Sequence, residues 1–229
     1  MNRLARGALY LLAILLAGSA HAAETLKDVL ERVSAAYGKT PPAAMVEQGT
    51  TTSFRRGEGA LLRQYRAPDR FSIRIRYATG SESRVLAGEQ AWQQGAAANP
   101  ILRGAIVLQV ARIALPWNML AQASALVDLG PSAMEDGKPL RAIGFPLEEN
   151  LRLVVEVDAQ DGRILRSRGI QRIGAGSMEF ATVYSEFRHG QGRMHAAREE
   201  HYAMGQHTGF SVIHKVAYPE SLPDDAFAP

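Results

Sequence analysis

The spacing of apolar residues changes three times along the chain. Over residues 26–37, Leu26, Val29, Leu30, Val33 and Tyr37 recur at one-turn intervals, which predicts a helix with one apolar face. Gly38 supplies a stop, and Pro41-Pro42 prevents continuation. From Met45 to Gln94 the period falls to two. Phe71, Ile73, Ile75 and Tyr77 alternate with Ser72, Arg74 and Arg76, the signature of a strand with one wet face. Thr50 to Thr52, Leu61 to Ala67, Ser83 to Ala87 and a short stretch around Trp92 read as further strands. Turns fall at Pro68-Asp69, Thr79-Gly80 and Gly88-Glu89.

Residues 96–129 break the alternation. Ile101 to Leu115 is apolar and alanine-rich and predicts a helix. Pro116 ends it or opens a second one over Trp117 to Leu126, since proline is tolerated in a first helical turn. Between Pro100 and Asp128 the only charges are Arg103 and Arg112. A helical insert this apolar must pack on something large and greasy. Alternation then resumes at Leu140–Phe145, Leu151–Val157, Ile164–Ile170, Met178–Arg188, Met194–Ala203 and Phe210–Tyr218. Asp161-Gly162 marks a hairpin, and Ser221–Pro229 reads as a loop. Short turns between strands predict an antiparallel meander. The expected fold is α+β: a curved, unclosed β-barrel of about 10–11 strands that curls under its own twist. A helix precedes it, and a helical insert at about residues 100–128 serves as a lid.

The first 22 residues stand apart from this pattern. Arg3 and Arg6 precede the apolar run Ala8–Ala17, and Ala20-His21-Ala22 offers small residues at the positions a signal peptidase reads. The run is shorter than the roughly 20 residues a bilayer span needs. Cleavage after Ala22 is expected, leaving residues 23–229 as one domain in the periplasm. The chain has 0 Cys, so no disulfide and no lipid-modified cysteine is expected; a core of this size needs no staple.

Charge narrows the partners. The chain holds 26 Lys and Arg against 23 Asp and Glu, and loss of Arg3 and Arg6 with the leader leaves 24 against 23. A near-neutral domain gives no footing for nucleic acid. Arginine outnumbers lysine by 22 to 4. That fork suits phosphate and carboxylate, although a GC-rich coding sequence produces the same bias.

Chemistry-bearing motifs are sparse. His189, His195, His201, His207 and His214 recur at spacings of six and seven, but turns intervene and no compact zinc signature is present. There is no Gly-x-Ser-x-Gly elbow and no cysteine nucleophile. Gly174-Ala175-Gly176 lacks the strand-to-helix setting of a phosphate loop. The acid pairs Glu148-Glu149, Glu199-Glu200 and Asp224-Asp225 diverge on an extended chain and read as solvated surface. No catalytic residue, metal or cofactor is expected.

Several segments, taken in order, carry a resemblance. They are the leader and first helix; Arg66-Ala67-Pro68-Asp69-Arg70-Phe71 opening a strand; and Ala87-Gly88-Glu89-Gln90-Ala91-Trp92. The insert with Leu115-Pro116-Trp117 follows, and then the closing Pro219-Glu220-Ser221-Leu222-Pro223-Asp224-Asp225-Ala226-Phe227. In this order they resemble the LolA-like superfamily of periplasmic lipoprotein and lipid carriers. The resemblance implies a helical lid over an apolar cavity and binding of acyl chains. It also implies loading from an inner-membrane transporter, delivery to an outer-membrane acceptor, and a monomer. One departure stands out. The carriers often place an arginine associated with lid closure directly before the motif's proline; here that position is Ala67, and Arg66 one residue earlier points to the opposite face.

A 16-carbon acyl chain in water costs about 12 kcal/mol at ~0.8 kcal/mol per CH₂, and an apolar cavity nearly cancels that cost. The candidate lining is Phe71, Ile73, Ile75, Trp92, Leu151, Leu153 and Val155 from strands, with Ile106, Leu115, Trp117 and Leu120 from the insert. The competing expectation is a periplasmic lipid-sensing or regulatory module that acts on a membrane-protein partner.

Overall fold

The structure is a computed structural model that describes residues 25–229; the expected signal peptide lies outside the described residues. Thr25 caps the first helix, α1 (Leu26–Tyr37). Its hydroxyl accepts from the Asp28 amide at 3.3 Å, and the Asp28 carboxylate accepts from the Thr25 amide at 3.0 Å, a reciprocal capping box. Val29, Val33 and Tyr37 are the buried face, as their spacing requires.

Thirteen strands follow: β1 (Ala44–Ser53), β2 (Gly57–Arg66), β3 (Arg70–Tyr77), β4 (Gly80–Ala87), β5 (Gln90–Gln93), β6 (Ala96–Ala97), β7 (Val127–Ala133), β8 (Pro139–Glu148), β9 (Leu151–Val157), β10 (Ile164–Ile173), β11 (Gly176–Gly190), β12 (Arg193–Ala203) and β13 (Gln206–Ala217). Between β6 and β7 lie the helices α2 (Pro100–Ile113) and α3 (Leu115–Ala121). All strands join one sheet in the order β6-β5-β4-β3-β2-β1-β13-β12-β11-β10-β9-β8-β7. Neighbouring strands are antiparallel, and β6 and β7 do not meet, so the sheet stays open.

The sheet curls around the insert. Helix α2 touches β4 and β5 on one side and β9 and β10 on the other. In a flat sheet β4 and β10 would stand about 34 Å apart at ~4.8 Å per strand. A helix only ~10–12 Å across reaches both because the sheet folds around it. Asn99 starts α2 by accepting from the Leu102 amide at 2.9 Å. Arg103 then ties the helix to both flanks. Its Nη1 donates to both oxygens of Glu148 at 2.8 and 2.9 Å, and its Nε donates to the Glu89 carbonyl at 3.0 Å. Glu148, read from sequence as a free surface acid, is thus half of a clamp on the lid.

At Ala114 the insert bends by 88° into α3, with Pro116 in the new helix's first turn. The second helix stops at Ala121, short of the expected Leu126, and tightens into a 3-10 turn at Ala123–Ala125. Among the described residues no single helix is long and apolar enough to cross a membrane.

The sheet has two strands more than expected. Strand β6 is two residues long, too short for a period to show. Strand β7 carries Gly130-Pro131, a turn signal, and exposes Val127 and Leu129. Proline is tolerated there because β7 is an edge. The C-terminal tail also differs from the expected loop. Residues Asp224–Phe227 form a 3-10 turn that packs on the outer face of β3 and β4, burying Ala226 and Phe227 against Val85.

Candidate ligand-binding cavity

Alternation on β3 decides what faces inward. Phe71, Ile73 and Ile75 point toward α2, while Arg74 points outward and donates to the Ala226 carbonyl at 3.0 Å. The same alternation on β2 sends Leu61, Arg63 and Tyr65 inward and Arg66 outward. There Arg66 donates to the Leu222 carbonyl at 2.6 Å and pairs with Asp224 at 2.5 Å. Arg66, two residues before the strand-opening proline, therefore fastens the tail, on the face opposite α2.

Between the inner face and α2 lies a hollow of about 750 Å³. That volume falls in the range of roughly 300–1,000 Å³ typical of small-molecule sites. Its apolar part is built by Phe71, Ile73 and Ile75 from β3 and by Ile101, Leu102 and Ile106 from α2. Ile101 lines the hollow and is also 45% exposed, which marks an opening at the start of α2. A second, smaller space of about 60 Å³ lies under α3, lined by Tyr37, Met45, Trp117 and Tyr218 among others.

The sequence-derived candidates divide between these places. Phe71, Ile73, Ile75 and Ile106 gather at the larger hollow. Leu115 and Trp117 border the smaller one. Trp92, Leu120, Leu151, Leu153 and Val155 border neither of the two hollows. Trp92 sits opposite Val85 on the outer face, packed with the tail cluster of Ala226 and Phe227. Leu151, Leu153 and Val155 are fully packed into the core, and Leu120 packs against that core from α3. Being inward on a strand places a side chain under the helices; it does not leave empty space beside it.

Trp117 is an anchor. Its Nε1 donates to the Gly38 carbonyl at 3.1 Å, Arg193 lies over its ring at 5.3 Å, and Tyr218 meets it edge-on at 6.5 Å.

A polar seam that sequence reasoning missed runs through the floor. Arg63 holds Glu199 with two nitrogens, each at 3.0 Å. Its Nε also lies 2.8 Å from Glu47 Oε2, but off the line of the N–H bond, so both atoms lack a hydrogen bond there. Both carboxylates are buried. Burial pushes Glu47 up to about 7, further helped by the neighbouring Glu199 charge. Glu199 suffers the same burial, yet the better-placed Arg63 and nearby His201 hold it below the usual carboxylate range. Glu199 had been read as solvated surface; only its neighbour Glu200 faces outward, to Arg198 and His207.

Further along the seam, His201 Nε2 and Ser211 Oγ are 2.9 Å apart, and Ser211 donates to Thr51 Oγ1 at 3.1 Å. Burial depresses the His201 pKa. The nearest carboxylate, Glu199, stands 3.9 Å from that same Nε2. A catalytic Ser–His–acid relay needs the acid on the other ring nitrogen, so this arrangement is a hydrogen-bonded floor. From above, Arg112 of α2 donates through Nε to Ser167 Oγ at 3.0 Å and through Nη2 to the Phe180 carbonyl at 2.6 Å. Ser167 in turn shares a hydrogen bond of 2.9 Å with Tyr184. Burial raises the Tyr184 pKa to about 12, so its hydroxyl stays protonated. Among the described residues no group of three metal-ligating side chains comes together.

No protein-family model matches the chain, and no curated protein matches it either. Solved structures do. A LolA superfamily protein from Nitrosomonas europaea aligns with a TM-score of 0.56 at 11% identity, covering 90% of this chain and 99% of that one. A putative outer membrane lipoprotein-sorting protein domain from Vibrio parahaemolyticus gives a TM-score of 0.49 at 8% identity, over 88% of this chain and 94% of that one. An open antiparallel sheet wrapped around a bent helical insert, matched across nearly the whole length of the first of these, makes this a LolA-like fold.

Proposed function

We infer that this chain is a periplasmic carrier that takes acyl chains of lipids or lipoproteins into the hollow beneath α2 and moves them from the inner to the outer membrane. The observation that supports this most is the hollow itself: about 750 Å³ left unfilled between the inner face of the sheet and α2. Apolar side chains from β3 and α2 border it, so an acyl chain passing from bilayer to cavity exchanges one apolar surrounding for another. The LolA-like fold and the leader-like first 22 residues agree with this role. An inner-membrane transporter as donor and an outer-membrane protein as acceptor complete it, and the chain acts as a monomer without catalysis.

The test is transfer of a labelled phospholipid from donor vesicles to acceptor vesicles. A rate that rises with protein concentration supports carriage. Stoichiometric lipid binding with no transfer replaces it with a sensing role, and degraded lipid replaces it with hydrolysis.

A further inference from the structure

We propose that the hollow takes a free single-chain amphiphile with an anionic head, carboxylate or phosphate, and that Arg112 receives this head at the inner end. This rests on the reading that the hollow holds an acyl chain, and it names the class of molecule to which that chain belongs.

One stripe of α2 faces the hollow. Ile101, Ala105, Leu108 and Arg112 follow i, i+4, i+7 and i+11 spacing, and all four line the hollow. They span about 16 Å of helix axis at ~1.5 Å per residue. Ile101 stands at the exposed end. Arg112 stands at the other, where the larger hollow meets the smaller one, since it borders both. The stripe is therefore apolar at the opening and cationic at depth.

Among the described residues no carboxylate forms an ion pair with Arg112; the Glu199 charge acts on it only from a greater distance. The contacts of Arg112 are neutral oxygens: Ser167 Oγ, the Phe180 carbonyl and the nearby Tyr184 hydroxyl. The closest acid, Glu199, is already gripped by Arg63. Buried charges are normally paired, because an unpaired one is costly. Arginine cannot shed its proton to escape that cost. Glu47 could supply a counter-charge, but burial favours its protonated form. The seam thus sets two guanidinium groups, Arg63 and Arg112, against Glu199 and a Glu47 whose charged form burial disfavours. One turn earlier, Gln109 also borders the hollow, and its buried Oε1 has no hydrogen-bond partner among the described residues. Its amide can turn to present an N–H₂ donor instead. A guanidinium without an ion-pair partner and an amide oxygen without a donor, one turn apart at the inner end of an apolar stripe of α2, match an anion at the end of a hydrocarbon tail. A lipoprotein would enter tail-first, with its bulky end at the opening; this arrangement favours a free molecule that enters head-first.

The experiment compares three 16-carbon probes on the purified mature chain: palmitate, hexadecyl phosphate and hexadecanol. Displacement of a bound fluorescent fatty acid reads the affinity. The expected result is that both anions bind roughly tenfold or more tightly than the alcohol, the size of one charge-assisted hydrogen bond. Arg112→Gln should erase that preference, so that both anions bind no more tightly than hexadecanol does to the same variant. Tighter binding of only one anion identifies the head chemistry. Equal affinity for all three overturns the head-group inference while leaving acyl-chain binding intact. Binding of none overturns the carrier reading as well. A second measurement needs no variant: palmitate labelled with ¹³C at its carboxyl, bound to the wild-type chain, should titrate below the ordinary carboxylate range. An ordinary or raised titration places the head away from Arg112 and overturns the inference.

Discussion

Arg63 on β2 and Glu199 on β12 meet at 3.0 Å, although β1 and β13 lie between their strands. Three strand spacings separate β2 from β12, about 14 Å in a flat sheet. The contact closes across the inner surface of a sheet that curls, and it leaves Glu47 as the poorer partner of the same guanidinium. Glu199 keeps the charge, and Glu47 is pushed toward its neutral form.

Glu47 gives the fold a pH dependence. Its ordinary pKa of 4.5 rises to about 7 on folding. The folded chain therefore holds a proton that the unfolded chain has already lost between those values. Stability from this group is complete below about pH 4.5 and falls as pH rises to about 7, by an order of ~2–3 kcal/mol. Glu47→Gln should remove that slope and make the variant more stable than wild type at pH 8. Urea unfolding at a series of pH values checks this; parallel curves for the two proteins contradict it.

Trp117 should prove structural. Its buried ring fixes α3 to the end of α1 through Gly38, and Arg193 and Tyr218 pack on it. Trp117→Ala is expected to cost about 3–5 kcal/mol, measured by denaturant unfolding. A loss below about 1 kcal/mol contradicts the assignment.

The hollow should be separable from the core. Ala105 lies on α2 facing the empty volume. Ala105→Phe fills part of that space without displacing a packed side chain. Acyl-chain binding should fall by about tenfold or more, while the melting temperature stays within roughly 4 °C of wild type. A large loss of stability with unchanged binding would mean that this region is already packed.

Much of this was legible in the chain because it is local. The α1 stripe and the β3 alternation each lie within a dozen residues. The apolar insert is longer but unbroken in sequence; it needed a covering surface and found one in the curled sheet. Strand β7 was not legible, since an edge strand need not alternate and its Gly130-Pro131 imitates a turn. Trp92 was placed inward because a large apolar residue on a strand normally is; the tail that covers it outside lies more than 130 residues downstream. The polar seam was hidden for the same reason. Arg63 and Glu199 are 136 residues apart, and nothing in the pair Glu199-Glu200 says which acid turns inward. Glu47 and Arg63 do sit directly opposite across β1 and β2, so a register drawn from the Arg55-Arg56-Gly57 turn would have paired them.

The most direct measurement is made on the cargo. Protein purified from a membrane-containing lysate is extracted with organic solvent, and the extract is analysed by mass spectrometry. Acyl-chain lipids are expected in a fixed molar ratio to the protein, reduced in the Ala105→Phe variant. An extract free of lipid, from protein that also fails to take up added lipid, would contradict the carrier reading.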